Sequence, residues 1–347
     1  MPLARRPARS SRRALPVAEL AVTFALLCGG ALGASAQTVR DSAHATVVSP
    51  RWAFPVRASG AAPVAPDSVL RLRVPNSARL YTAAQIANLY AVPDWFPSHG
   101  VMPEVVARGR RPAVYACAYC HLADGRGRPE NALLAGMPAA YIEAQVAAIR
   151  SGERRPPPGA VSPPYEAMRL VAERATDAEI AVAARYFAAL RAGPPRTRII
   201  EADSVPALRS MSGVYALDTA THGKNVDSLG GRLVDVATDA VRHERHDPRV
   251  PYLTFVPRGS ISRGRAIATT PSAAPRACVG CHGPALRGVG LVPPIAGRAP
   301  SYLLRQLLAF NAGTRSTPAA APMRDVASRL TLDDMIAVAA YAGSLRP

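Results

Sequence analysis

Aromatic side chains are scarce in this chain: six Phe, eleven Tyr and two Trp among 347 residues, or 5%. Rings supply much of the apolar bulk of ordinary cores, so two or three modest domains with 49% hydrophobic residues would lack flat, bulky volume. Cysteine is scarcer still, at five. Cys28 lies in an amino-terminal apolar stretch, and the other four form two C-x-x-C pairs. None is left for a disulfide framework or a thiolate nucleophile. The apolar run itself, Leu20 to Ala34, has 15 residues, short of the roughly 20 that a membrane-spanning helix needs. Carboxylates are also in deficit, with 24 Asp and Glu against 42 Lys and Arg, a formal charge of +18.

The amino terminus explains part of that charge. Arg5, Arg6, Arg9, Arg12 and Arg13 form a basic region, the apolar run follows, and Ala34-Ser35-Ala36 is a cleavage pattern. Residues 1–36 therefore read as a cleaved export signal, and Leu27 before Cys28 argues against a lipoprotein signal, which places a small residue there. Five arginines against Glu19 leave a mature charge of about +14. A basic balance of this size suits docking to acidic proteins or anionic membrane surfaces. Nucleic acid fits poorly, because the arginines are scattered and the chain is exported.

Both cysteine pairs continue into a histidine: Cys117-Ala-Tyr-Cys120-His121 and Cys278-Val-Gly-Cys281-His282. C-x-x-C-H is the attachment signature of c-type haem, in which two thiols bond to the porphyrin vinyl groups and the adjacent imidazole ligates the iron. Two intervening residues place the sulfurs on neighbouring turns of a short helix, with the histidine projecting beneath the metal. A zinc half-site or a redox dithiol would not require the histidine in both places. Two covalent haem c groups would also provide the missing flat apolar volume.

The motifs mark an internal repeat. Tyr141 and Tyr302 each lie 24 residues after their first cysteine, and the pairs Gly127/Gly288, Gly136/Gly297, Gln145/Gln306, Gly152/Gly313 and Arg154/Arg315 hold the same register. Residues 101–196 and 258–347 are thus two copies of one unit. The spacing predicts helices over Met102 to Arg108 and Ser260 to Ala268 before the motifs, then over Ala139 to Ser151 and Pro300 to Ala312. Capping boxes at Thr176 and Thr331 predict terminal helices to Leu190 and about Leu345. Tyr186 and Tyr341 are expected to pack those helices on the amino-terminal ones.

Residues 37–100 are a Pro/Ala-rich extension, expected to lack order up to about Asp67. A short helix is predicted near Tyr81 from the Thr82 to Gln85 box, and Trp95 and Phe96 are expected on the first copy. Residues 197–257 read as a linker with short strands at Ile199-Ile200, Arg232 to Val236 and Tyr252 to Val256. There His243, Glu244, His246 and Asp247 sit among Arg242, Arg245 and Arg249, a pattern read as a solvated ion-pair turn rather than a metal site.

The sixth iron ligand follows from the repeat. Met168 and Met323 each lie eight residues before their cap threonine, after a Pro-rich stretch. Met137 corresponds to Arg298, Met335 falls on a buried stripe, and Met102 precedes the motif. Pro294 is expected to hold the second imidazole nitrogen through its carbonyl, with Leu133 at the matching position of the first copy.

With these residues in view, the chain resembles the dihaem class I cytochromes c of the cytochrome c-four type. The resemblance rests on the paired C-x-x-C-H motifs, the Leu134-Ala135-Gly136 and Ile295-Ala296-Gly297 segments, the two methionines and the capped terminal helices, and it covers about 190 residues. It implies an all-α fold of two tandem haem domains and periplasmic electron carriage, soluble or membrane-associated, between a donor and a terminal acceptor. It further implies no catalytic residue and no small-molecule substrate of its own. Closed His/Met ligation favours that reading over a dihaem peroxidase, which needs an open iron. A cytochrome subunit of a periplasmic dehydrogenase is the other expectation. The extension and the 197–257 segment are longer than that family needs.

Overall fold

Thr82, Thr176 and Thr331 each start a helix in the same way. The hydroxyl accepts from the backbone three residues on, and the Gln85, Glu179 or Asp334 side chain accepts from the threonine N–H in return, a reciprocal cap for two otherwise orphaned donors. The computed structural model describes residues 46–57, 66–218, 226–270 and 277–347. The export signal expected at 1–36 lies outside them.

The helices are α1 (Ala83–Ile86), α2 (Glu104–Ala107), α3 (Cys117–His121), α4 (Ala139–Arg150), α5 (Pro163–Arg174), α6 (Asp177–Ala189), α7 (Ala240–Glu244), α8 (Ser260–Thr269), α9 (Val279–His282), α10 (Pro300–Asn311), α11 (Ala321–Ser328) and α12 (Leu332–Ser344). The repeat is visible in their order: α3 to α6 correspond to α9 to α12. α8 matches its expected span, whereas α2 is shorter than expected because Pro103 stands at its start and Gly109 closes it at φ +64°. In the second copy α8 crosses α12 at Gly264, where a Cβ would stand 2.0 Å from the Ala337 carbonyl oxygen. Only glycine permits that approach, and it brings Tyr341 against the helix as expected. Leu304, Leu308, Met335 and Ile336 are fully buried there, each worth about 1.5–3 kcal/mol of transfer free energy.

The chain is not purely helical. The strands are β1 (Arg71–Leu72), β2 (Tyr81–Thr82), β3 (Thr197–Glu201), β4 (Ser204–Pro206), β5 (Leu208–Ser210), β6 (Tyr215–Leu217), β7 (Val226–Ser228), β8 (Val234–Ala237) and β9 (Tyr252–Val256). Five of them form a mixed sheet in the order β3-β9-β8-β6-β5, with β3 parallel to β9 and β6 parallel to β8. The three expected β-branched runs supply one side of it, β3 at the edge and then β9 and β8; β6 and β5 complete it. A separate two-stranded antiparallel sheet pairs β4 with β7. The purely all-α expectation is therefore corrected: the short strands expected between the copies pair into sheets, with a core of Val205, Leu229, Val234, Val236 and Phe255.

The extension departs from expectation too. Residues 46–57 are ordered as a 3-10 turn over Arg51–Ala53, and Ala53 and Phe54 join the core of the second copy. Trp95 packs with Val74, Ile86 and Tyr81, and its indole donates to the Arg245 carbonyl at 2.7 Å. Phe96 lies under the Arg249 guanidinium at 3.5 Å. Both aromatics therefore meet the 197–257 segment, because that segment, not the first copy, presents the unpaired carbonyl and cation.

Candidate haem-attachment sites

Helix α3 carries Cys117, Cys120 and His121 on one side of a cavity that also has Met168, on α5, in its lining. Ile142, Val146, Ile149, Val171 and Phe187 provide apolar walls. Burial pushes the Cys117 thiol up to about 12 and raises Cys120, so both are neutral thiols rather than nucleophiles. Burial likewise lowers the His121 imidazole. Its Nδ1 donates to the Ala132 carbonyl at 2.9 Å, which leaves the Nε2 lone pair available to a metal.

The second motif repeats this arrangement. His282 is buried, its pKa lowered by desolvation, and its Nδ1 donates to the Pro293 carbonyl at 2.9 Å. Ala132 and Pro293 both lie fifteen residues after their first cysteine. The acceptor is therefore one residue earlier than the Pro294/Leu133 expectation in both copies. Backbone carbonyls do this work, so the side-chain difference between the copies is immaterial. Cys278 is half-buried against the carboxy-terminal core and Cys281 is exposed. Met323, on α11, packs with Phe310, Ala320 and Ala327. Among the competing methionines, Met335 is core as expected, while Met137 shares the first cavity with Met168.

The copies meet at a near-symmetric junction. Arg154 and Arg315 form an antiparallel bridge, with Arg155 N–H donating to the Thr314 carbonyl at 3.0 Å. The Arg154 guanidinium donates to Gln145 at 3.0 Å, to Gln306 at 3.1 Å and to the Tyr302 hydroxyl at 2.9 Å. Arg315 reaches the same two glutamines, at 2.6 Å and 3.2 Å. Register positions 24, 28 and 37 of the repeat thus come together across the two copies.

Arg298, Arg305 and Arg315 are buried, and none has a carboxylate partner at ion-pair distance among the described residues. Burial pushes Arg298 down to about 10 and lowers Arg305 and Arg315. Although burial opposes it, the Tyr302 phenol is lowered by Arg154, Arg315 and Arg298. A cationic end that faces the cavity through buried Arg305, half-buried Arg154 and exposed Arg155 fits the two carboxylates of a haem; a cavity with two thiols and a free imidazole nitrogen fits its vinyl edge and iron.

The 197–257 segment closes over the first motif. His246, at φ +58°, packs against Tyr119 with ring centres 4.4 Å apart and planes tilted by 55°, and its Nδ1 donates to the Tyr119 carbonyl at 2.8 Å. Burial, then Arg128, pushes His246 down to about 3. His243 lies 3.0 Å from the Tyr252 hydroxyl and 3.4 Å from Glu130, which is paired with Arg128 at 2.9 Å. Asp247 is buried and holds Arg242 at 2.6 Å. Only Glu244 is solvated, 3.0 Å from Arg57. The solvated-turn expectation is therefore corrected for His243, His246 and Asp247: the sheet carries them onto α3. The signal in the sequence was the break in the repeat, where Arg128 and Glu130 stand opposite Val289 and Leu291.

The sequence profile described as "Cytochrome c" matches residues 261–346. A thiosulfate dehydrogenase electron acceptor of Stutzerimonas stutzeri is 30% identical over 240 residues, which cover 67% of this chain and 80% of that protein. Cytochrome c-552 of Acidithiobacillus ferridurans is 39% identical over 69 residues, 20% of this chain and 29% of that one. Among solved structures, the "as isolated" thiosulfate dehydrogenase (TsdBA) of Marichromatium purpuratum is 31% identical, with a TM-score of 0.44; the match covers 69% of this chain and 38% of that one. By its motifs and by the extent of the match to the Stutzerimonas protein, the chain belongs to the electron-transferring c-type cytochromes.

Proposed function

We propose that the chain is a periplasmic dihaem carrier that takes electrons from a dehydrogenase and passes them to a further acceptor. The similarity to a thiosulfate dehydrogenase electron acceptor favours a thiosulfate-oxidising enzyme as donor. In this reading residues 101–196 and 258–347 are the two haem domains. Cys117 and Cys120 bind one haem c with His121 and Met168 as axial ligands; Cys278, Cys281, His282 and Met323 serve the other. Bound there, each haem supplies an iron that cycles between ferric and ferrous states. The protein's own part is to fix both imidazoles, enclose the rings and neutralise their carboxylates, and it performs no catalysis.

The observation that carries the reading is the shared orientation of the two imidazoles, each Nδ1 on the carbonyl fifteen residues past its first cysteine. A closed His/Met iron has no room for substrates. The ferrous protein is expected to bind carbon monoxide at neither haem at neutral pH and to show negligible peroxide turnover. Stoichiometric carbon monoxide binding at one haem would favour a dihaem peroxidase instead.

A further inference from the structure

A second, smaller cavity, of about 30 Å³, lies where the two copies meet the sheet. The loop after the first motif brings Arg126, Arg128 and Asn131 to it, the crossing into β3 brings Arg196, and the entry to α10 brings Arg298 and Tyr302. Four guanidinium groups thus border a space with room for about two water molecules. Their charge is not balanced. Arg128 is paired with Glu130 at 2.9 Å, but Arg126, Arg196 and Arg298 have no carboxylate at ion-pair distance among the described residues. Asp124 accepts from the Arg126 backbone N–H at 3.1 Å rather than from its guanidinium, and burial raises its carboxyl.

Carbonyl groups take up only part of this donor capacity. Arg298, 3% exposed, donates to the Pro294 and Leu133 carbonyls through two of its five N–H groups. Arg126 donates to the Pro194 carbonyl, and its Nε is buried with no partner. Burial, joined at Arg126 by the neighbouring Arg196, pushes Arg126 and Arg298 down to about 10. A buried cation without a counter-charge is the costly arrangement, and a fork of unused N–H groups matches the oxygens of an oxyanion. The volume excludes a nucleotide or an organic cofactor. The repeat does not form this cluster twice, because Val289 and Met137 stand at the positions that match Arg128 and Arg298.

We propose that this cavity binds a small inorganic oxyanion, held by Arg126 and Arg298, which completes the junction between the two copies and the sheet. The binding stands on the arginines alone. Its consequence for the haem rests on the electron-carrier reading: Asn131 and Tyr302 line both cavities, so the bound charge lies beside the first haem, favours its ferric state and lowers its potential. By reciprocity, the ferric protein holds the anion more tightly.

The test uses sulfate as the probe on the full holoprotein, with ionic strength held constant by sodium gluconate, whose anion is too large for the cavity. The thermal unfolding temperature is expected to rise with sulfate and saturate in the millimolar range. In the reduced, nitrogen-15-labelled protein, amide shifts are expected at 126–133, 192–197 and 297–302. Arg298→Met is expected to weaken sulfate about tenfold or more, and Arg126→Gln repeats the test if that variant fails to fold. Arg209→Gln, on exposed β5, leaves the response unaltered. A redox titration is expected to show the first haem's potential falling as sulfate saturates, with the second moving less. A rise that never saturates, one shared equally by all three variants, or amide shifts centred elsewhere would overturn the site. So would no response at all, the result expected if the carboxylate of Pro347, at the edge of the cavity, turns in to neutralise the cluster. Saturable binding that leaves both potentials unchanged would refute the consequence for the haem. Failure of the carrier reading is read separately, as the absence of reversible haem bands in the same sample.

Discussion

Replacing Glu130 with Gln removes a carboxylate that joins the first motif's loop to His243 on α7. Its side chain is 4% exposed, 2.9 Å from Arg128 and 3.4 Å from His243. Although burial opposes it, Arg128 and then His243 hold the carboxyl at about 2, against an ordinary 4.5. That difference, at 1.36 kcal/mol per pH unit, is worth about 3 kcal/mol. The sign follows from the depressed folded value: the contribution is complete above an ordinary glutamate's pKa and is lost as pH falls toward about 2. Denaturant unfolding of the holoprotein, followed by far-ultraviolet circular dichroism, is therefore expected to show Glu130→Gln less stable by about 3 kcal/mol at neutral pH. The gap to the wild type should close progressively below about pH 4. A variant as stable as wild type at neutral pH, or a gap that ignores pH, would mean that the Arg128–Glu130–His243 cluster does not clasp the segment to α3.

Met168→Ala is expected to remove the weak far-red band of iron–sulfur bonding from one haem and lower that haem's potential, while Met137→Ala, in the same cavity, leaves the band intact; the reverse result would exchange their roles. Met323→Ala should act in the same way on the other haem alone, read by the same band. Arg315→Leu takes one guanidinium from the shared Gln145/Gln306 bracket and is expected to lower at least one haem potential, since less positive charge then opposes the ferric state; an unchanged redox titration would reduce Arg315 to a helix-terminal charge.

Local chemistry was legible from residues alone. The two attachment motifs, the three capping boxes and the helices α4, α6, α8, α10 and α12 follow from spacings of a few residues, which the backbone expresses wherever the chain goes. The imidazole acceptors were misplaced by one position because a carbonyl belongs to the backbone and leaves no mark on the side-chain pattern. What escaped depended on long-range pairing. β8 reads as a strand by itself, but nothing local says that it lies between β9 and β6, or that the resulting sheet lands on Tyr119. His243, His246 and Asp247 look like a polar turn until that landing buries them. Trp52 to Phe54 likewise look unordered until the second copy supplies a core to enter. The bracket of Arg154 and Arg315 was visible as register; its crossing between copies was not.

The haem count is settled by mass. After acid-acetone extraction, which strips non-covalent haem, the intact exported protein is expected to keep the mass of two haems on a chain that begins near Gln37. Substituting Cys117 and Cys120 by Ala should leave one, and substituting Cys278 and Cys281 should leave the other. A wild-type protein that retains one haem, or none, would contradict the dihaem carrier outright.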